Sequence, residues 1–243
     1  MNRVEAVTFD FWQTLLTERS GEMRALHIEG WLEVLGDAGH DIEHAVLDAT
    51  FEASGHRFHE RWRANDDQYT SADATTFICE RLGVPVTDEL QGRLVSVFHR
   101  VGEEVELQLA PGIRECLNAL SAAGVRLGIV CDVGMTAAPT LRDRLEREGL
   151  LGFFTTWGFS DETGWFKPAP EAFRPALAGL GIEDPTRAAH VGDNRWTDVA
   201  GALGLGMIAV RYRGLHDAAA DIGPEGTYVL DDHRELPGIF GVG

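Results

Sequence analysis

The chain has 243 residues, 44% of them apolar, which suits one large domain or a domain carrying an insertion. Lys and Arg number 21 against 39 Asp and Glu, a formal net charge of −18. That field repels nucleic acid and anionic membrane surfaces, though a lysine or a metal could still hold a small anionic substrate locally. Cys79, Cys116 and Cys131 are scattered and form no CxxC pair, as expected of reduced thiols in a cytoplasmic protein; no signal peptide and no membrane-spanning run is expected.

The first element is a short apolar strand from Val4 to Phe9 that ends on an acid, Asp10, and runs on through Phe11-Trp12-Gln13-Thr14-Leu15. After the polar break Thr17 to Gly21, the period turns helical from about Ser20 to Val101. Met23, Leu26, Trp31 and Leu35 form one stripe, and Leu47, Phe51, Ser54, Phe58 and Trp62 a second. Thr70 with Asp73 predicts a capping box for a third helix, stopped by Gly83 and Pro85, and Thr87 or Asp88 caps a fourth bearing Leu90, Leu94, Val97 and Val101. The aromatic stripe reads as the core of a small bundle.

From Leu109 strands and helices alternate, the pattern of a parallel sheet with crossover helices. Pro111-Gly112 opens a helix closed by Gly124; Val125 to Val130 is a strand ending at Cys131-Asp132; a helix begins near Pro139. Phe153 to Phe159 is expected as a strand, 160–166 as a loop leading to Lys167-Pro168, and the next helix carries Phe173 and Leu177 with Pro175 inside it. Ala188 to Val191 is a strand ending in Gly192-Asp193-Asn194, with a helix after Asp198 and later strands at Met207–Val210 and Thr227–Leu230. The predicted fold is α/β, a doubly wound parallel sheet of residues 1–16 and 108–243, with a helical domain, 17–107, inserted after the first strand and hinged near 16–20 and 102–110.

Parallel strands share one carboxyl edge, where open α/β sheets keep their chemistry. That edge would gather Asp10, Cys131-Asp132, Lys167, Asp193 and Asp198. Carboxylates so crowded need a cation, and an all-oxygen set suits Mg2+. With a lysine to hold an anion, the set fits phosphoryl transfer to an aspartate nucleophile, Asp10. His190 reads as a core histidine, and the nine histidines show no metal-ligand spacing.

These residues resemble the haloacid dehalogenase-like hydrolase superfamily of helical-cap type. Asp10 and Thr14 match its first motif, Lys167 in Phe166-Lys167-Pro168 its lysine motif, and Gly192-Asp193 through Asp198 its acidic motif. The resemblance implies that Asp10 is nucleophile and metal ligand. The backbone carbonyl of Trp12 and the Asp193 carboxylate are implied as further ligands, with Asp198 indirect or supporting Lys167. Trp12, Gln13, Thr14, Asp132 and Asn194 are placed as substrate contacts; Gln13 and Asn194 could instead serve only their turns.

The sequence departs from the family in three places. Trp12 stands where the phosphatases carry a second aspartate as general acid/base, Gln13 where glycine is usual, and Cys131 where a serine or threonine is usual. A thiol donates weakly to phosphate; a reactive Cys131 is the alternative use of that position. The expected activity is Mg2+-dependent hydrolysis of a small phosphorylated metabolite. Alternatives are carbon–halogen hydrolysis through an aspartyl ester, since the family's dehalogenases carry an aromatic residue at the Trp12 position, and a non-catalytic binding protein. A Schiff-base phosphonate route is disfavoured because Ser20 to Val101 contains no lysine.

Overall fold

The computed structural model describes residues 4–19, 21–64, 68–217 and 223–242; Ser20, where the helical period was expected to begin, lies outside them. The chain runs β1 (Ala6–Phe9), β2 (Leu16–Glu18), α1 (Glu22–Asp37), α2 (His44–Ala64), α3 (Ser71–Leu82), α4 (Asp88–Glu104), β3 (Leu107–Leu109), α5 (Ile113–Ala122) and β4 (Arg126–Cys131). It continues through α6 (Ala138–Arg147), β5 (Thr156–Phe159), α7 (Ser160–Thr163), α8 (Pro170–Gly179), β6 (Ala188–Gly192), α9 (Ala200–Gly204), β7 (Ile208–Tyr212), β8 (Tyr228–Leu230) and α10 (Leu236–Ile239).

Two compact units result, one of residues Met1–Thr17, Leu107–Asp132 and Leu145–Gly243, the other of Glu18–Glu106 and Val133–Arg144. The first holds a six-stranded sheet in the order β5-β4-β1-β6-β7-β8, parallel at every pair. Strands covered on both faces need continuous apolar runs, and β1 is buried at all four positions. From β1 the chain fills one side of the sheet with β4 and β5, then returns to the other side with β6. Asp10 therefore leaves β1 at the point where the strand order reverses, the crevice in which such sheets bind ligands.

The second unit closes α1 to α4 around Trp31, Leu35, Leu47, Phe51, Ile78, Leu94 and Phe98. Thr70 and Asp73 form the expected capping box, Gly83 ends α3 in the left-handed conformation, and the Thr87 side chain caps α4. Segment 133–144, expected in the α/β domain, clusters with this unit, where Met135 packs on its core.

Three local expectations change. The segments expected as hinges contain β2 and β3, which pair as a separate two-stranded sheet; three residues each are too few to show a period. The strand expected from Phe153 begins only at Thr156, after a 3-10 turn at Leu151–Phe153. The loop after it opens with a single helical turn, α7, ended by Gly164 at φ 79°. Among the described residues no helix is long and apolar enough to cross a membrane.

Candidate active site

Four strand ends build the site inside the α/β unit. Asp10 follows β1, and its backbone N–H donates to Val191 O on β6 at 2.8 Å. Lys167 comes from the loop before α8; its Nζ donates to Asp10 Oδ1 and to Asp198 Oδ1, both at 2.6 Å, and reaches Val130 O on β4 at 3.3 Å. Asp10, Lys167 and Asp198 are all buried, at 6%, 2% and 1% exposure. A buried ammonium between two carboxylates is sustained only because each charge faces an opposite one at hydrogen-bond distance.

Asp198 is the most fully engaged of the acids. Its Oδ1 also contacts His190 Nε2 at 3.0 Å, and its Oδ2 accepts from the Asn194 backbone N–H at 3.0 Å. It lies in a π-helical turn, Arg195–Val199, whose start is capped by Asn194: the side-chain Oδ1 accepts from the N–H groups of Trp196 and Thr197. The arrangement requires Gly192, because a Cβ there would lie 2.2 Å from Asp198 Cγ.

Charge and burial set the protonation of the group. Burial pushes the Asp10 carboxyl up to about 7, with Lys167 pulling against it and Asp198 adding to it. Burial and the neighbouring Asp198 and Asp10 push Asp193 well above the ordinary carboxylate range. Burial penalises the Asp198 anion too, but Lys167 and the His190 hydrogen bond outweigh it and hold Asp198 down at about 2. Lys167 is held well above the usual lysine value because Asp10 and Asp198 overcome its desolvation.

Asp10, Asp193 and Asp198 each offer a carboxylate oxygen within 4.8 Å of one another. Three acids face a single lysine, so ionising all of them would leave an excess of negative charge. An all-oxygen donor set with that excess fits a hard divalent cation, so the residues present could hold a metal.

Three of the residues expected as substrate contacts, Gln13, Asp132 and Asn194, make hydrogen bonds within the loops. Gln13 sits at φ 59°, in the left-handed region where glycine is favoured, and its Oε1 accepts from Thr17 Oγ1 at 3.0 Å, so its side chain serves the turn. Asp132 Oδ1 accepts the Lys167 backbone N–H at 3.0 Å and ties that loop to the end of β4. The Asn194 side-chain oxygen is engaged in its cap. Fully buried Thr14 points its Oγ1 toward Asp10 Oδ2, at a long 3.5 Å. Trp12 packs edge-on against Phe11, ring centroids 4.9 Å apart. Asp132 and Asn194 share one cause: short polar side chains at strand-to-helix loops are claimed first by nearby backbone N–H groups.

Cys131 closes β4 in the sheet interior, and burial, with Asp10 adding, pushes its thiol well above the ordinary value. A buried thiol shifted in that direction offers little thiolate for attack. Sequence reasoning missed two histidines. His190, taken for plain core, hydrogen-bonds to the site through Asp198. His233, fully buried, donates from Nε2 to Thr14 O at 2.8 Å and stacks on Tyr212. Only the HVGD context could have pointed to His190; nothing in the sequence links His233 to Thr14.

The sequence pattern of the haloacid dehalogenase-like hydrolase family matches residues 4–206, a span that includes Asp10, Lys167, Asp193 and Asp198. The chain belongs to that family. The chain is 31% identical over 138 residues to a glyceraldehyde 3-phosphate phosphatase of Pyrococcus abyssi, an alignment covering 56% of each chain, so it spans just over half the length of that relative. A phosphatase of the same superfamily from Thermococcus onnurineus superposes over 98% of both chains with a TM-score of 0.64 at 25% identity. A 2-haloacid dehalogenase from Pseudomonas syringae pv. Tomato does so over 98% of both chains with a TM-score of 0.71 at 21% identity, a likeness of fold alone.

Proposed function

We propose that this hydrolase is a Mg2+-dependent phosphohydrolase of a small phosphorylated metabolite, working through an aspartyl-phosphate on Asp10, with 17–107 as its cap domain. The observation that carries the reading is Lys167 Nζ held 2.6 Å from both Asp10 Oδ1 and Asp198 Oδ1, beside Asp193. Phosphatase relatives support it, as does a charge excess that suits a metal. A cytoplasmic location, without nucleic-acid or membrane partners, accompanies the reading and rests on the free cysteines and the net charge of −18.

In this mechanism Lys167 fixes Asp10 through Oδ1 and leaves Oδ2, with only its long Thr14 contact, to attack phosphorus. The bond from phosphorus to the leaving oxygen breaks, and an acyl phosphate forms on Asp10. Attack of water then releases phosphate and restores the carboxylate. Asp10, Asp193 and the Trp12 carbonyl would hold Mg2+, with Asp198 supporting Lys167. When bound, the ion would neutralise charge on the transferring phosphoryl group. Trp12 brings no titratable proton to the leaving oxygen, so that proton comes from water or substrate, and esters with good leaving groups are favoured.

Carbon–halogen hydrolysis is the second reading, favoured by the aromatic side chain of Trp12. A panel of phosphate esters and 2-haloacids, with Mg2+ and with chelator, separates the two. Mg2+-dependent phosphate release that is lost in Asp10→Asn supports the first reading. Halide release in chelator establishes the second, and no turnover of any kind overturns both.

A further inference from the structure

We infer that His190 is a positioning residue for the Lys167–Asp198 pair, donating its Nε2–H to the same carboxylate oxygen on which Lys167 is seated. The ring lies on β6, almost wholly buried, edge-on to Phe173 with centroids 5.1 Å apart. Thr8 on the adjacent β1 stands beside it in register and places Oγ1 2.9 Å from Nδ1. The other ring nitrogen, Nε2, is 3.0 Å from Asp198 Oδ1.

Proton counting fixes the direction of the Nε2 bond and, for a neutral ring, that of the Nδ1 bond. An ionised carboxylate can only accept, so the contact at Nε2 requires the proton there. A neutral ring then offers a lone pair at Nδ1, and the Thr8 hydroxyl donates to it. That hydroxyl has one proton, and its 2.9 Å contact with Nδ1 is far better than its 3.4 Å approach to Ala189 O. The opposite tautomer would set a lone pair against a carboxylate in a buried site, with nothing between them. Burial lowers the imidazole pKa, with the Asp198 hydrogen bond pulling against it.

The consequence is a continuous chain: Thr8 donates to His190, His190 to Asp198, and Lys167 to both Asp198 and Asp10. Asp198 is pinned at both oxygens, Oδ2 by the Asn194 N–H and Oδ1 by His190. With the His190 donor removed, the carboxylate can rotate about its last torsion and Lys167 loses its fixed seat beside Asp10. Partners of this kind, one shell behind the reacting groups, set orientation without touching substrate.

The effect on turnover rests on the phosphohydrolase reading; the hydrogen bond does not. The test therefore has two arms. In the first, 15N-detected imidazole spectra of the wild-type protein at neutral pH are compared with those of His190→Gln, which assigns the ring. A ring protonated at Nε2 is expected; a ring with Nε2 unprotonated overturns the inference even if the protein turns over no phosphate ester. In the second arm, Mg2+-dependent hydrolysis of an aryl phosphate is measured. His190→Leu should lower kcat by about 10–100-fold with KM little changed, and His190→Gln, whose amide N–H can reach Asp198, should recover most of the loss. Wild-type kcat in the leucine variant, or a glutamine variant no better than leucine at equal thermal stability, overturns it. If the leucine variant does not fold, the ring's protonation decides alone.

Discussion

Gly192 and Asp198 share a space that admits no side chain on the glycine: a methyl group at Gly192 would lie 2.2 Å from Asp198 Cγ and 2.5 Å from its Cβ. The carboxylate that seats Lys167 is thus placed by an empty position on the last residue of β6. Gly192→Ala should push Asp198 away from Lys167 Nζ. Displacements of about 1 Å in such sites cost about 100-fold in rate, and overpacking costs about 1–3 kcal/mol. Denaturant unfolding together with phosphate-release kinetics checks both; an alanine variant with wild-type kcat would show that Asp198 has room to move.

Metal addition gives a second expectation, independent of substrate. Asp10, Asp193 and Asp198 crowd around one lysine, and burial with like-charge repulsion already pushes Asp193 well up. A cation that binds only the folded state should stabilise it by about 2.7 kcal/mol at one hundred times its Kd, roughly 5–10 °C in Tm for a chain of this size. Asp193→Asn should remove most of that shift. Identical melting with Mg2+ and with chelator would count against the site.

Stability should also fall in acid through two buried histidines. Burial lowers His27, packed between Phe51 and Phe98, and His233, stacked on Tyr212, to about 4. Backbone hydrogen bonding at each ring opposes that shift without cancelling it. Unfolded, each has a pKa of about 6.5. Between those values the unfolded state binds more protons, so stability is fully present above about pH 6.5 and is lost as pH falls toward 4, by about 3 kcal/mol per ring. His233→Gln keeps an N–H for Thr14 O and cannot titrate, so its unfolding free energy should fall less steeply across this window. An unchanged slope would remove His233 from the account.

Asp10 and Asp193 were legible because apolar strands stop beside them and parallel strands stop at one edge, whereas Lys167, beyond β5 and α7, was legible through its Phe166-Lys167-Pro168 motif. What the sequence hid depended on where backbone N–H groups finish. Asp132 faces the Lys167 backbone, and Asn194 turns back on its own helix start, so two residues expected to meet substrate hold the loops that carry the site. Gln13 could be read either way until its φ of 59° showed a turn position. His190 and Asp198 are eight residues apart, and His233 and Thr14 are 219 apart; neither pairing has a periodic signal. The strands β2 and β3 escaped notice because a three-residue strand shows barely one alternation.

Trp12 is where the family resemblance and the expected chemistry part. The loop from Phe11 to Leu16 keeps its fold without a second aspartate: Phe11 O accepts the Leu15 N–H at 2.9 Å and Leu16 O accepts the Gln13 N–H at 2.9 Å, both through backbone alone. The indole is half-buried against Phe11, so replacing it removes an aromatic contact but no hydrogen bond that shapes the loop. If proton delivery to the leaving group limits turnover, Trp12→Asp should raise kcat for alkyl phosphates, up to the roughly 10²–10⁴-fold that a positioned acid contributes. It should do far less for aryl phosphates, whose leaving groups need no proton. That difference separates restored acid catalysis from a general opening of the site, which would raise both alike. An unchanged alkyl phosphate rate in a folded variant that still binds Mg2+ would show that proton delivery is not the limiting step.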